Sequence, residues 1–252
     1  MPAPLAASKW LSCPRPDPAA PMRLWCLPFA GGGAAVWHPW AARLAGSAEI
    51  VGVRLPGREN RIAERPVSEF EPLVAAIADE LAPHVHERDV LCGHSLGAIL
   101  AFEVARELRA RRLPGPAGLV VAGARAPHLP RTEPDLRHLP DDNFVAQVDR
   151  RYGGIPPTVR ENREFLDLFL PALRADLTIF ETYRHTAAPA LAVPLLALGG
   201  SDDLHVSRAQ VLAWGAHTTG IFSVDFFRGG HFFPQGQVDA VTARVGDFLH
   251  SF

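Results

Sequence analysis

Lysine is almost absent from this sequence, and long apolar runs are missing. Lys9 is the single lysine among 25 Lys and Arg residues, which face 27 Asp and Glu residues. The formal net charge of -2 gives no reason to expect nucleic acid or an anionic membrane as a partner. No apolar run approaches the roughly 20 residues of a membrane span, and the N-terminus lacks the pattern of a signal peptide. We therefore expect neither a membrane span nor a leader.

Cysteine is also scarce, and its spacing predicts no metal or redox site. Cys13, Cys26 and Cys92 form no C-x-x-C pair, and no His, Cys and Asp cluster has convincing zinc-ligand spacing. Cys26 and Cys92 lie in predicted apolar strands, as small buried side chains in a reducing compartment do. These features favour a cytoplasmic protein without a bound metal.

The 252 residues suffice for one large domain with a sizeable core. Predicted strands alternate with predicted helices along most of the chain, which indicates an α/β fold with a mostly parallel sheet and helices on both faces. The predicted strands span 8–13, 22–29, 49–55, 88–93, 118–124, 192–199 and 221–227. The predicted helices in this pattern end at residue 44 or span 66–85, 96–111, 207–217 and 235–252. We expect residues 1–252 to form a single domain.

The alternation breaks between Pro127 and Pro194. Helices are predicted at 141–152 and 158–185, and Pro171 should kink the second. This helix is apolar on more than one face, so it should pack on two sides. Its main stripe consists of Phe165, Phe169, Leu173, Leu177 and Phe180. An ordinary core helix would show the same pattern, but we favour a helical lid, inserted at about 128–192, whose underside lines an acyl-binding cavity.

A nucleophile-elbow motif stands between one predicted strand and the helix after it. Gly93-His94-Ser95-Leu96-Gly97 matches G-x-S-x-G, in which a strained turn raises the serine hydroxyl above the end of a sheet. Glycines flank the serine because side chains there would collide where the helix doubles back onto the strand. His94 adjoins the serine, but neighbouring side chains point in different directions, so His94 is not the expected base.

A serine hydroxyl needs a base, and the base needs a carboxylate to hold its tautomer. His231 is the candidate base, since it lies in a glycine-flanked loop after the last predicted strand. Asp202 and Asp203 both follow the preceding strand, and both loops lie where open α/β sheets place their ligand sites. The spacing favours Asp203, whereas Asp202 would serve as a turn or cap residue.

The segment Ala30-Gly31-Gly32-Gly33 follows an early strand and precedes a helix, so its backbone N–H groups should point into one cleft. A phosphate cradle is the competing interpretation. It lacks both the Gly-Lys-Ser/Thr ending of a P-loop and the G-x-G-x-x-G of a dinucleotide site. An oxyanion loop fits better, because it follows an early strand as the elbow arrangement requires.

Five stretches together resemble the type II thioesterases, discrete α/β-hydrolases that serve polyketide synthases and non-ribosomal peptide synthetases. These stretches are Leu27–Gly32, Leu55–Glu59, Gly93–Gly97, Leu170–Asp176 with Tyr183, and Gly229–Phe233. They are spread from near residue 27 to near the end, so the resemblance covers nearly the whole chain. The fourth stretch is the most specific, because lids differ widely within this fold. Gly33 and Trp37 depart from the serine and tyrosine that the family often has, which affects loop detail and leaves catalysis intact.

The resemblance implies hydrolysis of acyl thioesters carried on the phosphopantetheine arm of an acyl or peptidyl carrier protein. It implies Ser95, His231 and Asp203 as the catalytic residues and the N–H groups of Ala30 and Leu96 as the oxyanion hole. Phe165, Phe169 and Phe180 would contact the acyl chain. We expect a monomer that needs no cofactor, although its partner carries pantetheine.

Other functions remain open at this point. A carboxylesterase or small lipase would share the fold and the three catalytic residues, and only the lid and loop resemblance argues against it. A chain-releasing thioesterase is disfavoured because the chain starts near the first expected strand. A non-catalytic binding protein would have no need of Ser95, Asp203 and His231 together.

Overall fold

The computed structural model describes residues 5–252 and contains one seven-stranded sheet. Its strand order is β1-β3-β2-β4-β5-β6-β7, with β1 antiparallel to β3 and the other pairs parallel. The strands are β1 (Leu11–Ser12), β2 (Arg23–Leu27), β3 (Glu49–Val53), β4 (Val90–His94), β5 (Gly118–Ala122), β6 (Leu195–Gly200) and β7 (Phe222–Phe227). The predicted mostly parallel sheet is confirmed, and the edge strand predicted at 8–13 is a two-residue antiparallel strand.

Nine helices surround the sheet in the described part of the chain. They are α1 (His38–Arg43), α2 (Phe70–Leu81), α3 (Leu96–Ala110), α4 (Asp141–Tyr152), α5 (Pro157–Arg160), α6 (Arg163–Thr182), α7 (Arg208–Leu212), α8 (Phe233–Gly236) and α9 (Val238–Leu249). Short 3-10 turns precede α1 and follow α7. None of these helices combines the length and apolarity that crossing a membrane requires.

The two faces of the sheet bury separate hydrophobic clusters, because successive side chains of a strand point to opposite faces. On β2, Leu24 and Cys26 belong to one cluster, whereas Trp25 and Leu27 belong to the other. Helices α1 and α9 cover the first cluster, and α2 and α3 cover the second. This layering gives the arrangement of an α/β-hydrolase and brings the carboxyl ends of β4, β6 and β7 to one edge.

The helices between β5 and β6 differ from their predicted bounds. The single helix predicted at 158–185 is two helices, α5 and α6. The helical segment is interrupted before Arg163. The side chain of Asn162 accepts hydrogen bonds from the N–H groups of Glu164 and Phe165 and so caps α6. This cap signal was present in the sequence. Helix α6 runs through Pro171 without ending there.

Helix α6 packs on two sides, as its apolar pattern predicted. Leu166 and Leu170 are buried with Phe144 and Val148 of α4 in a third hydrophobic cluster, separate from the two that flank the sheet. The helix predicted at 235–252 is also divided, into α8 and α9. These breaks shift element bounds but leave the predicted order of elements unchanged.

Candidate active site

Ser95 lies in a strained turn between β4 and α3. Its φ of 56° and ψ of -117° place a non-glycine residue in a sparsely populated region. The strain persists because the chain approaches itself closely on both sides. A Cβ on Gly93 would lie 2.0 Å from the Gly97 carbonyl oxygen, and one on Gly97 would lie 2.2 Å from the Leu27 carbonyl oxygen. The two motif glycines therefore allow the turn that presents the Ser95 hydroxyl.

The loops after β6 and β7 bring an aspartate and a histidine to this hydroxyl. His231 Nε2 lies 3.0 Å from Ser95 Oγ, and His231 Nδ1 lies 2.9 Å from Asp203 Oδ2. His231 is buried. The three side chains form one chain of hydrogen bonds, in which the Asp203 carboxylate can hold the Nδ1–H tautomer and leave Nε2 free to accept the serine proton.

The structure brings Asp203, the aspartate that the spacing favours, to His231. Its second oxygen, Oδ1, accepts the N–H groups of His205 at 2.8 Å and Val206 at 3.1 Å. Burial favours the neutral acid, but the hydrogen bonds from His231 and these N–H groups outweigh it and lower the pKa of Asp203. Asp202 is exposed, and its Oδ2 accepts the Gly229 N–H at 3.1 Å. Asp202 therefore joins the two loops, in keeping with its predicted turn role.

His94 is a site residue whose role the sequence did not reveal. It is fully buried, and its Nε2–H donates to the carbonyl oxygen of His231 at 2.8 Å. Its Nδ1 is buried without a hydrogen-bond partner among the described residues. Burial lowers the pKa of His94 to about 3, so its ring is neutral. His94 thus holds the main chain of the His231 loop and is not the base, as predicted from its position.

The predicted oxyanion donors, Ala30 and Leu96, line the same cavity as Ser95. Leu96 is the first residue of α3, so its N–H has no intrahelical acceptor. In the facing loop, the Gly31 N–H donates to Asp176 and the Gly32 N–H donates to the Phe29 carbonyl. Ala30, the residue before them, lines the same cavity as Ser95 and Leu96. The glycine loop therefore faces the serine, and two of its N–H groups are used to hold its shape.

A cavity of about 210 Å³ opens beside Ser95 and His231. Helix α6 contributes Phe169 and Phe180 to its wall, together with Leu173 and Leu177. The lining also includes residues that the sequence did not single out: Val148, Tyr152, Gly153, Gly154, Ile155, Pro156 and Val159. The Gly153-Gly154 pair after a predicted helix was the available signal for a loop there. The wall is almost wholly apolar and suits a hydrocarbon chain.

Phe165 does not reach this cavity, contrary to the prediction that grouped it with Phe169 and Phe180. It lies in the first turn of α6, and 53% of its surface is exposed. The apolar stripe of α6 extends from Phe169 to Phe165, one helical turn beyond the edge of the cavity. Helical spacing predicts which residues share a face of the helix, but not how far along that face the residues are buried.

A second, smaller cavity of about 30 Å³ also reaches Ser95 and His231. Its lining includes the polar side chains of Arg125, Glu133 and His205. The two cavities share Tyr152 and Phe180, so they meet at the reactive hydroxyl from different directions.

The residues that the structure describes contain no group of three or more His, Cys, Asp or Glu side chains that could hold a metal ion. Cys13, Cys26 and Cys92 are free thiols, and Cys26 and Cys92 are buried. Cys26 and Cys92 lie opposite each other on β2 and β4, at the interior positions predicted for them.

Comparison with known proteins places this site in a family. The thioesterase-domain family matches residues 22–249. The gramicidin S biosynthesis protein GrsT of Aneurinibacillus migulanus is 35% identical, over 90% of this chain and 88% of its own. The thioesterase RedJ of the prodiginine pathway in Streptomyces coelicolor is 38% identical with a TM-score of 0.85, covering 93% of this chain and 91% of its own. The type II thioesterase BorB of the borrelidin cluster is 36% identical with a TM-score of 0.84, covering 96% of both chains. The chain therefore belongs to the thioesterase family and is a thioester hydrolase.

Proposed function

We propose that this thioesterase is an editing enzyme of the type II class. It removes aberrant or stalled acyl groups from the phosphopantetheine arm of carrier proteins in polyketide or non-ribosomal peptide biosynthesis. The observation that carries the proposal is the His231 ring, which bridges Ser95 Oγ at 3.0 Å and Asp203 Oδ2 at 2.9 Å beside an apolar cavity. The similarity to BorB and RedJ supports the class of substrate.

Acylation of the enzyme begins when Ser95 Oγ attacks the thioester carbonyl carbon and His231 Nε2 takes the hydroxyl proton. The negative charge that develops on the carbonyl oxygen is stabilised by the N–H groups of Leu96 and Ala30. The C–S bond then breaks, the imidazolium returns a proton to the sulfur, and the pantetheine thiol leaves. Asp203 stabilises the imidazolium and keeps its orientation throughout.

Deacylation repeats these steps with water. His231 takes a proton from a water molecule as its oxygen attacks the acyl-serine carbonyl, and the same two N–H groups hold the second oxyanion. Collapse of this intermediate breaks the ester bond, His231 returns the proton to Ser95 Oγ, and the free carboxylic acid departs. Each turnover consumes one water and needs no cofactor.

The helical segment 128–192 acts in this proposal as a lid within one domain. The larger cavity beneath α6 holds the acyl chain, with Phe169 and Phe180 in its wall. An apolar wall makes few directional contacts, and one methylene in such a pocket changes the free energy by only about 1–3 kcal/mol. Loose discrimination among acyl chains suits the removal of many unwanted groups.

The carrier protein and the location complete the proposal. A docked carrier supplies binding energy remote from the thioester, which can be used to position the carbonyl at Ser95. The three free cysteines fit a reducing cytoplasm. We take the active species to be a monomer, which light scattering on the purified protein tests.

The test compares kcat/KM for one acyl group on a holo carrier protein and on N-acetylcysteamine, with release of the free acid as the readout. We expect the carrier-bound group to be hydrolysed more efficiently. Equal values would remove the carrier from recognition and favour the carboxylesterase alternative. Cyclic or transferred products in place of the free acid, formed when a nucleophile other than water attacks the acyl-serine, would favour a chain-releasing thioesterase.

A further inference from the structure

The oxyanion loop has the shape of a tight turn that can adopt more than one peptide orientation. The Gly32 N–H donates to the Phe29 carbonyl oxygen at 2.8 Å, which closes a turn with Ala30 and Gly31 in its centre. Gly31 has a φ of 78°, and a positive φ at the third position is the mark of a type II turn. Types I and II differ by a flip of the central Ala30–Gly31 peptide, and a contact to the Gly31 N–H holds this peptide in the type II orientation.

That contact is a buried ion pair formed by residues 118 positions apart in the chain. Arg58 Nη1 donates to Asp176 Oδ2 at 2.6 Å, and Arg58 Nη2 donates to Asp176 Oδ1 at 2.8 Å. The exposed fractions of Arg58 and Asp176 are 7% and 1%. Asp176 Oδ2 also accepts the Gly31 N–H at 2.8 Å, and Arg58 Nη1 also donates to the Gly32 carbonyl at 3.0 Å. The pair therefore holds the central peptide and the last carbonyl of the turn.

The neighbouring residue of Arg58 holds the far end of the same loop. Glu59 has a φ of 52°, an unusual value for a side chain of this size. Its carboxylate accepts the N–H of Ala34 at 3.2 Å and that of Ala35 at 2.9 Å. Arg58 and Glu59 thus give the glycine loop a rigid support, which a loop of three successive glycines does not have by itself.

Asp176 connects this support to the helix that lines the acyl cavity. Phe169, Leu173 and Asp176 are spaced to lie on one face of α6. A Cβ placed on Gly31 would lie 2.8 Å from Phe169 Cζ and 3.0 Å from Leu173 Cδ1. The turn is therefore packed directly against the cavity wall as well as hydrogen-bonded to the helix, and a displacement of α6 must move it.

We propose that Arg58 and Asp176 are positioning residues for thioester hydrolysis, which orient the Phe29–Gly32 turn so that the Ala30 N–H meets the oxyanion and which couple that orientation to the acyl-binding helix α6. This inference rests on the proposed function, in which Ala30 supplies an oxyanion donor. Its consequence is that a properly seated α6 is a condition for a working oxyanion hole.

A purely stabilising role would not need this pair. Well-packed apolar residues of similar volume often stabilise a protein as well as a buried ion pair does, because both charges must be removed from water. The Nε of Arg58 is also buried without an acceptor among the described residues, which costs stability. The ion pair makes directed hydrogen bonds to the Gly31 N–H and the Gly32 carbonyl, which apolar side chains could not make.

The experiment replaces Asp176 with Asn in the full chain and uses Glu181→Gln as the matched control. The Asn side chain cannot accept from Gly31 and from both Arg58 nitrogens at once. Glu181 is also a buried carboxylate on α6, but it accepts the N–H groups of Leu136 and Arg137, away from the oxyanion loop. Both variants lose one buried charge on one helix, and only Asp176→Asn alters the turn.

Two inhibitors test whether the substitution weakens binding of the transition state or of the ground state. A trifluoromethyl ketone analogue of the acyl thioester adds to Ser95 and forms an oxyanion, whereas the corresponding alkyl thioether has no carbonyl. For Asp176→Asn we expect kcat to fall by about 10- to 100-fold and ketone affinity to fall with it. KM and thioether affinity should stay close to wild type, and Glu181→Gln should retain both kcat and ketone affinity.

Wild-type kcat in a folded Asp176→Asn protein would overturn the inference, and so would an equal loss of affinity for ketone and thioether. If Asp176→Asn does not fold, the double variant Arg58→Met with Asp176→Leu takes its place, since it leaves no unpaired buried charge. A stable double variant with low kcat supports the inference, and one with wild-type kcat refutes it. The Ser95→Ala variant distinguishes failure of this inference from failure of the proposed function. If Ser95→Ala keeps its activity, the proposed function itself has failed.

Discussion

The catalytic loops and the helical segment 128–192 meet at the same cavity, but different forces shape them. At the sheet edge, close backbone contacts at Gly93 and Gly97 set the position of Ser95. Hydrogen bonds align His231 with Asp203 and Ser95. In the helical segment, apolar side chains such as Phe169 and Leu173 form a wall without directional contacts. Loss of one polar atom should therefore lower activity severely at the sheet edge, whereas loss of side-chain volume should have a mild effect in the helical segment.

The largest effect should follow Ser95→Ala. Removing the nucleophile should lower turnover of an acyl thioester by about 10⁴- to 10⁶-fold while the fold is kept, because the turn itself is set by Gly93 and Gly97. Steady-state kinetics and the melting temperature are the measurements. A fluorophosphonate probe should label the wild type and spare both this variant and a heat-denatured sample. Labelling elsewhere in the folded protein would reject the acyl-serine mechanism.

Asp203→Asn should come next and should far exceed Asp202→Asn. An amide at position 203 no longer holds the required tautomer of His231, and such a loss costs about 10⁴-fold in kcat in a serine protease. The Asp202 side chain accepts a hydrogen bond from the Gly229 N–H of the neighbouring loop, so its variant serves as the matched control. Kinetics of the two single variants decide the matter, and the reverse order would assign the orienting role to Asp202.

A smaller effect is expected from Phe169→Ala, which enlarges the acyl cavity. The ratio of kcat/KM for a long and a short acyl chain should change by about tenfold, or about 1.4 kcal/mol, because the wall loses apolar contact without losing a polar partner. Phe165→Ala, on the exposed turn of the same helix, should leave the ratio unchanged. Equal effects of the two variants would mean that the cavity extends along the whole stripe.

The smallest effect concerns stability and tests His94. Its pKa is about 3 in the folded protein because it is buried, whereas an unfolded histidine titrates near pH 6.5. Between these values the unfolded chain binds more protons, so stability falls as the pH drops. His94→Gln removes this titration, and its loss of melting temperature between about pH 7 and about pH 4.5 should be several degrees smaller. The control is His86→Gln at an exposed histidine. A wild-type slope for His94→Gln would contradict the assignment.

The order of strands and helices, the elbow and the glycine loop were all predictable from the sequence. Each depends on residues close together in the chain: a run of apolar residues, a G-x-S-x-G spacing, or glycines after a strand. Such patterns report local geometry, and local geometry is decided over a few residues. His231 was also predictable, because parallel strands send their carboxyl ends to the same edge of a sheet.

Tertiary structure settled the choices between near neighbours. The spacing favoured Asp203 over the adjacent Asp202, but only the orientation of their loop shows that Asp203 contacts His231. Phe165 and Phe169 share one helical stripe, and only the extent of the cavity separates them. Arg58 and Asp176 both lay in recognised motifs, yet their pairing across 118 positions was not visible in either. The physical reason is common to all three: local sequence sets the direction of a side chain within its element, but long-range packing determines what that side chain meets.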